Sequence, residues 1–231
     1  MRHLVMIPAF GCDARLYSGI VPTLDSIISL QTIIADRETF VGCVEQILAE
    51  APKSFVVLGT SFGGRVALEL TLAAPERITG LIVIGSTPGP PPDPAAGLRR
   101  SERLRGGEME EVVADMAAIV SHLPGPHGPA TRDAFIAMAR RQGTERMARQ
   151  SDAMAKRSDL RPRLSSIACP ALMLWGAHDQ FVPASDGLVL SMAISGARYV
   201  EIPDCGHFPP LEAPEETAGA IRHWLTASRL T

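Results

Sequence analysis

Three short runs in this chain are apolar at every position, and they restrict its fold more than any other feature. They read FVVLG from Phe55, LIVIG from Leu81 and ALMLW from Ala171. A strand with one face in water alternates apolar and polar residues, so a run without alternation indicates a strand buried on both faces. Parallel sheets covered by helices on both sides bury their strands in this way. The runs therefore predict an α/β fold with a mostly parallel central sheet.

Other short apolar runs, bounded by turn residues, alternate with segments of helical period along the chain. The predicted strands are His3–Ile7, Leu30–Ala35, Phe55–Gly59, Gly80–Gly85, Ala171–Trp175 and Arg198–Ile202. The predicted helices are Leu16–Leu24, Phe40–Glu50, Gly63–Ala74, Ser185–Ile194 and Pro214–Ala227. We therefore expect a sheet of about six strands with helices on both of its faces.

A proline-rich run after the fourth predicted strand interrupts this alternation. It reads TPGPPPDPAAG from Thr87, and proline can neither continue a helix interior nor join a central strand. Helical sequence rich in Met and Arg follows, so we expect residues 87–162 to form a helical cap inserted into a core of residues 1–86 and 163–231. The run alone is also compatible with a flexible linker. Five methionines are candidates for the core of the cap or for a ligand pocket: Met109, Met116, Met138, Met147 and Met154.

The charge balance excludes a general electrostatic affinity for polyanions. The 231 residues include 22 basic and 25 acidic side chains, and the formal charge is −3. We therefore expect neither nucleic acid nor a membrane as a partner. The densest basic run is interspersed with and followed by glutamates, which predicts a solvated helix face. This run comprises Arg99, Arg100, Arg103 and Arg105.

The N-terminal residues and the cysteines together predict a cytoplasmic protein. MRHLVMIPAF leads directly into a strand-like run without the features of an export signal, and no apolar run reaches membrane-spanning length. The four cysteines are scattered, which favours reduced thiols: Cys12, Cys43, Cys169 and Cys205. Because no P-loop, dinucleotide fingerprint or metal-type spacing occurs, neither a cofactor nor a metal is expected. Nothing in the sequence indicates the oligomeric state.

A single serine between glycines marks the end of the third predicted strand. Residues Gly59 to Gly63 read GTSFG, which fits G-x-S-x-G, and a predicted helix follows directly. A sharp strand-to-helix turn of this kind exposes a nucleophilic serine, here Ser61, at the helix N-terminus. The helix dipole favours negative charge there, so the backbone N–H of Phe62 is a candidate oxyanion donor. Without partner residues, the same motif is also typical of a plain glycine-rich turn.

A serine nucleophile needs a base, and the base needs an orienting carboxylate. Asp179 follows the fifth predicted strand in CPALMLWGAHDQFVP, and His207 follows the sixth in IPDCGHFPP. With Ser61, they occupy the carboxyl ends of strands in one sheet, in the chain order Ser, Asp, His. Asp204 is too close to His207 in sequence to be preferred as the acid. The remaining histidines are predicted to be structural or solvated: His3, His122, His127, His178 and His223.

These motifs resemble those of the α/β-hydrolase fold family, and particularly its small cap-bearing esterase-like branch. The resemblance extends over nearly the whole chain and is strongest in VVLGTSFGGRVALELTLAAPERITGLIVIGSTP, CPALMLWGAHDQFVP and IPDCGHFPPLEAPEE. It implies that Ser61 is the nucleophile, Asp179 the orienting acid and His207 the base.

The resemblance also implies a second oxyanion donor in the loop after the first strand. The matching group is the backbone N–H of Phe10, although Pro8 and Ala9 replace the usual His-Gly. Thr60 likewise stands where many relatives carry a histidine beside the nucleophile. Both departures put the local shape of the pocket in question.

The activity that the resemblance implies is hydrolysis of a small carboxylic ester or lactone through an acyl-enzyme intermediate. The expected partner is a small ester-like molecule. Three alternatives remain open from the sequence: a C–C bond hydrolase, an acyltransferase on the same residues, and a ligand-binding receptor with negligible turnover. The methionines, together with Phe10, Phe62 and Phe208, favour an apolar acyl chain.

Overall fold

The computed structural model describes residues 2–230, and its centre is one parallel sheet of six strands. The strands are β1 (His3–Ile7), β2 (Ser29–Thr32), β3 (Phe55–Thr60), β4 (Ile78–Ile84), β5 (Ala171–Gly176) and β6 (Arg198–Ile202). Their order across the sheet is β2-β1-β3-β4-β5-β6, and each neighbouring pair is parallel. The predicted α/β class is confirmed.

Helices cover both faces of the sheet, which explains why the central strands lack alternation. Every residue of β3 and β5 is buried. The helices around the sheet are α1 (Val21–Leu24), α2 (Phe40–Glu50), α3 (Phe62–Ala73), α8 (Ala184–Met192), α9 (Pro209–Glu212) and α10 (Pro214–Ala227). Helix α3 packs on β1, β3 and β4, and α10 packs on β5 and β6. Within residues 2–230, no helix combines the length and the apolar character that crossing a membrane requires.

The second strand is shorter than predicted, since it ends at Thr32 rather than at Ala35. Its ladder with β1 stops there, and the next backbone carbonyls bond to side chains instead. Gln46 Nε2 donates to Ile34 O at 3.1 Å, and Gln150 Nε2 donates to Ala35 O at 2.8 Å. Residues 33 and 35 remain buried beyond the end of the strand, and their apolar side chains made the predicted strand too long.

The helix predicted over Leu16–Leu24 is wrong, because two short pieces occupy this region. A 3₁₀ turn covers Ala14–Tyr17, and α1 follows after a break. Asp13 begins the turn by accepting a hydrogen bond from the Arg15 N–H at 2.9 Å. Pro22 lies in the first turn of α1 and has no N–H to continue a helix from the preceding turn.

Residues 87–162, here called the inserted segment, lie between β4 and β5 and are mainly helical. The helices are α4 (Pro94–Arg105), α5 (Met109–Ala117), α6 (Gly128–Gln142) and α7 (Thr144–Ala155). Helix α4 packs along α7, and α5 packs against α6. Met138 and Met147 are buried in the core, whereas Met109, Met116 and Met154 are only partly buried.

Arg65 on α3 holds both ends of the inserted segment. Its buried guanidinium donates to Pro88 O at 2.8 Å and to Ser158 O at 2.7 Å. It also pairs with Glu69 at 2.7 Å, one helical turn further along α3. Burial lowers the pKa of Arg65, and the pair with Glu69 opposes that shift. One buried cation therefore joins the start and the end of the inserted segment to the core.

Candidate active site

Ser61 lies at the junction of β3 and α3 in a strained backbone conformation. Its φ is 54° and its ψ is −113°, in the left-handed half of the map that residues with a Cβ rarely adopt. The turn admits no side chain at its flanking glycines. A Cβ on Gly59 would lie 2.0 Å from Gly63 O, and one on Gly63 would lie 1.9 Å from Ile7 O. The motif glycines are thus required by close backbone approach, and the turn holds Ser61 at the carboxyl end of β3.

Asp179 and His207 form a buried pair in the loops after β5 and β6. His207 Nδ1 lies 2.7 Å from Asp179 Oδ2. The second carboxylate oxygen, Oδ1, accepts hydrogen bonds from the N–H groups of Phe181 at 2.9 Å and Val182 at 3.0 Å. The carboxylate is therefore fixed by the backbone on one side and orients the imidazole on the other. This arrangement directs the ring nitrogen Nε2 away from Asp179.

Ser61 and His207 line the same small cavity, of about 30 Å³. The rest of its lining is apolar and comes from the core loops and the inserted segment: Ala9, Phe10, Met116, Val120, Phe135, Phe181 and Phe208. No hydrogen bond joins Ser61 Oγ to His207 in the described part of the chain. The Phe181 ring lies 4.9 Å from the His207 ring, centroid to centroid, and contributes to the packing of the imidazole.

The two candidate oxyanion donors lie in the turns after β1 and β3. Within residues 2–230, the N–H groups of Phe10 and Phe62 donate no hydrogen bond. The loop that carries Phe10 is held in place by buried polar side chains. The hydroxyl of Tyr17 donates to Ile7 O at 2.7 Å and lies 3.1 Å from Thr60 Oγ1, which ties this loop to the serine turn.

A residue of the inserted segment supports the same loop from the other side. Gln150 on α7 accepts a hydrogen bond from the N–H of Gly11 at 3.0 Å through Oε1. Gly11 has a φ of +66°, which suits glycine, and directly follows Phe10. The loop shape is thus maintained by Tyr17, Thr60 and Gln150 despite the substitution of the usual His-Gly by Pro8 and Ala9.

Sequence reasoning missed Glu212, which organises the loop around His207. Its buried carboxylate accepts from the N–H of Gly206 at 2.9 Å and of Phe208 at 3.0 Å, the two neighbours of His207. It also accepts from the N–H of His122 in the inserted segment at 2.7 Å. A glutamate between prolines in PPLEAP, next to a candidate catalytic histidine, was the available signal.

Arg100 contradicts the predicted solvated helix face. It lines a larger cavity, of about 350 Å³, that shares Met116 and Phe181 with the small cavity. Its guanidinium carbon lies 4.8 Å from the centroid of the Phe10 ring, and its Nε donates to Ser151 Oγ at 2.8 Å. Within the described residues no carboxylate pairs with Arg100, and burial lowers its pKa.

The other three arginines of that helix differ from Arg100, because each pairs with acidic residues near the surface. Arg99 pairs with Asp93 at 2.6 Å, and Arg103 pairs with Asp115 at 2.9 Å. Arg105 contacts Asp152 at 2.9 Å. The spacing of α4 directs Arg100 inward, which sequence alone did not indicate.

Ser61 also lines a second small cavity, of about 40 Å³. It is lined by Arg65, Gly85, Ser86, Thr87, Met154, Arg157 and Val182. Arg157 donates through Nε to Gly89 O at 3.0 Å and has no carboxylate partner in residues 2–230. Burial, together with the nearby charges of Arg65 and Arg100, lowers the pKa of Arg157 to about 10. Ser61 therefore lines both an apolar cavity and one that contains two arginines.

Comparison with known proteins agrees with this architecture. A model of the Alpha/beta hydrolase family matches residues 8–220. The pimeloyl-[acyl-carrier protein] methyl ester esterase of Nitrosomonas europaea is 27% identical over 237 residues, 92% of this chain and 91% of that protein. The 2-hydroxy-6-oxononadienedioate/2-hydroxy-6-oxononatrienedioate hydrolase of Escherichia coli K12 is 31% identical over 163 residues, 68% of this chain and 57% of that protein.

Solved structures of esterases and a lactonase share the fold. A thermophilic esterase from Thermogutta terrifontis aligns with a TM-score of 0.90 at 24% identity, covering 99% of this chain and 90% of that one. The enol-lactonase from Burkholderia xenovorans LB400 aligns with a TM-score of 0.88 at 20% identity, covering 97% and 91%. The chain belongs to the alpha/beta hydrolase family and is a hydrolase.

Proposed function

We propose that this protein hydrolyses a small carboxylic ester or lactone, with Ser61 as the nucleophile. One observation carries the proposal: Ser61 is held in a strained turn, in the same cavity as an imidazole that a buried carboxylate orients. Strained backbone at a strand-to-helix turn is costly, and proteins retain it mainly at functional sites. The Asp179–His207 pair supplies the proton acceptor that a serine hydroxyl needs at neutral pH.

The proposed reaction has two acyl-transfer steps. His207 Nε2 takes the proton of Ser61 as Oγ bonds to the carbonyl carbon, and the N–H groups of Phe10 and Phe62 stabilise the oxyanion. The alcohol leaves with the proton from His207. Water then gives a proton to His207 and attacks the acyl-enzyme, and Ser61 recovers its proton as the acid departs. The Ser61–His207 hydrogen bond is expected to form in the substrate complex, as such bonds tighten on binding.

We propose that the inserted segment acts as the cap of this site and sets its specificity. Met116, Val120 and Phe135 from this segment line the apolar cavity beside Ser61. This lining supports an apolar acyl chain next to the reacting carbon. Arg65 and Gln150 hold the segment over the core loops, so its position relative to Ser61 is maintained by buried hydrogen bonds.

The unpaired arginines support a substrate with an anionic group in addition to its ester. Arg100 and Arg157 are partly buried, and within residues 2–230 neither pairs with a carboxylate. Unpaired buried charge is unfavourable, and a bound carboxylate would relieve the cost for either guanidinium. We therefore expect preferred substrates that combine an apolar chain with a carboxylate.

The second candidate function is cleavage of a C–C bond by the same residues. The similarity to the protein of Escherichia coli K12, at 31% identity, favours it, because that protein is a 2-hydroxy-6-oxononadienedioate/2-hydroxy-6-oxononatrienedioate hydrolase. A carbonyl carbon is also the point of attack in this case, so the geometry around Ser61 supports both reactions. Substrate profiling distinguishes them.

The test is hydrolysis of p-nitrophenyl esters of increasing chain length, with lactones and a vinylogous diketone assayed in parallel. We expect ester or lactone turnover with an initial burst of p-nitrophenol equal to the enzyme concentration. Turnover of the diketone alone would favour the C–C hydrolase, and tight binding without any turnover would favour a receptor. Ser61→Ala should abolish turnover, whereas Ser54→Ala, at an exposed serine before β3, should not change it.

A further inference from the structure

Three metal-ligating side chains meet at the rim of the molecule beside the catalytic loops. His122 lies in the inserted segment between α5 and α6, His178 directly precedes Asp179, and Asp204 lies three residues before His207. One ligand atom from each residue lies within 4.8 Å of the others. The two imidazole rings are stacked, with centroids 3.9 Å apart and planes inclined by 11°.

We propose that His122, His178 and Asp204 form a binding site for a divalent transition metal, of which Zn²⁺ is the best match. Two imidazole nitrogens and one carboxylate oxygen are ligands that Zn²⁺ prefers. Ligand atoms around tetrahedral zinc lie roughly 3.4 Å apart, so the side chains must move by about 1 Å. The two stacked rings must also rotate, so that the in-plane lone pair of each ligating nitrogen points at the same ion. Water would complete the coordination, because His178 and Asp204 are exposed.

The side chains concerned have no other polar partner. Apart from the stacking of the two rings, none of the three makes a side-chain hydrogen bond or an ion pair within residues 2–230. In the folded chain, their nitrogen and oxygen atoms are therefore available for a ligand. By contrast, neighbouring polar side chains already have hydrogen-bond partners. Asp179 is bonded to His207, and Glu212 accepts from the backbone N–H groups around His207.

The backbone around the cluster is already ordered for this geometry. His178 N donates to Cys205 O at 2.9 Å, which joins the acid loop to the base loop. His122 N donates to Glu212 at 2.7 Å, and a Cβ on Gly206 would lie 2.5 Å from His122 N. The three segments are thus held in close contact, so metal binding requires only side-chain adjustment.

A metal in this site would connect the inserted segment to both catalytic loops. His122 belongs to the segment that we propose as the cap, while His178 and Asp204 flank the Asp179–His207 pair. Coordination by all three would resist separation of these segments and so stabilise the folded chain by mass action. The metal would not touch the reacting atoms, and its role would be structural or regulatory. Because the ligands are separated by 56 and 26 positions, the sequence carries no metal-type spacing.

Metal binding can be measured without any assay of hydrolysis, so the test is independent of the proposed function. Chelator-treated protein is titrated with ZnCl₂ by calorimetry and with Co²⁺ by visible absorption. We expect one saturable site per chain and at least about a tenfold weaker affinity in His178→Ala and His122→Ala. His127→Ala is the matched control, since His127 lies exposed in the same loop as His122 but outside the cluster, and it should bind as wild type does.

Thermal unfolding gives the second measurement. Zn²⁺ should raise the Tm of wild type and of His127→Ala, and should leave the Tm of a His122→Ala/His178→Ala double variant unchanged. If the double variant does not fold, Asp204→Asn replaces it, because the amide keeps the carboxylate's shape while removing its charge. Equal affinity in wild type and the ligand variants, or no saturable binding by wild type, would overturn the proposal.

Discussion

Two regions of the molecule are held in place by different kinds of contact. One is the serine turn with the loops of Asp179 and His207, and the other is the inserted segment. Ser61 and Asp179 are positioned largely by backbone groups, such as the Ser61 N–H that donates to Ile84 O at 2.8 Å. The His207 loop is held through its backbone N–H groups, which donate to the Glu212 carboxylate. The inserted segment is attached through individual side chains, chiefly Arg65 and Gln150. The difference leads us to expect that the proposed chemistry depends on the sheet, whereas the proposed specificity depends on side chains that can change one at a time.

The largest effect should come from breaking the backbone-held part at His207. His207→Ala removes the proposed proton acceptor, and we expect kcat for an activated ester to fall by about 10⁴-fold or more. His223→Ala on α10 is the control and should retain full activity. Far-UV circular dichroism checks that both variants fold. Near-normal turnover by a folded His207→Ala protein would contradict the proposed mechanism.

Among the side chains that attach the inserted segment to the core, Arg65 should cause the largest loss of stability when it is substituted. Arg65→Ala leaves Glu69 without its partner and Ser158 O without a donor, so the free energy of unfolding should fall by about 2–4 kcal/mol. Urea denaturation measures the change. Arg161→Ala removes an exposed arginine that pairs with Asp159, and it should leave the free energy of unfolding nearly unchanged. Equal losses in the two variants would show that Arg65 is not the principal attachment.

Glu212 joins the two regions, because it binds both the His207 loop and the inserted segment. Glu212→Gln replaces one acceptor oxygen by a donor and leaves N–H groups unsatisfied beside His207. We expect kcat to fall by about 10²-fold with little change in KM, because a small misplacement of the base weakens proton transfer. A purely structural role would lower Tm without changing kcat per folded molecule. Glu216→Gln, in the first turn of α10, is the matched control.

The smallest expected effect concerns specificity at Arg100. Arg100→Gln should lower kcat/KM for mono-p-nitrophenyl adipate by about tenfold relative to p-nitrophenyl hexanoate, because only the first ester carries a terminal carboxylate. Arg105→Gln should leave this ratio unchanged, since Arg105 pairs with Asp152 and lies outside the lining of the cavity that holds Arg100. A ratio that does not respond to Arg100→Gln would remove the support for an anionic substrate group.

The sheet could be predicted from short sequence patterns, because the residue types of each strand indicate whether its two faces are buried. Runs such as FVVLG are apolar on both faces, and Gly59 is required by the backbone of Gly63 within the same turn, whereas Gly63 is required by Ile7 O on the neighbouring strand β1. The helix expected over Leu16–Leu24 was wrong because Pro22 interrupts it, a signal that was present in the sequence. Arg100 was misread because periodicity does not indicate which face of a helix points toward a cavity formed by another segment.

The sequence by itself determined the α/β class, the serine turn and the residue types at the carboxyl ends of β5 and β6. These properties arise from contacts between residues close in the chain or from burial along one strand. Only the tertiary structure decided that Glu212 supports the His207 loop and that His122, His178 and Asp204 meet. It also decided that Arg100 has no carboxylate partner among the residues that the structure describes. Such groupings depend on how distant segments pack, because a side chain's partners are set by position in space rather than by separation along the chain.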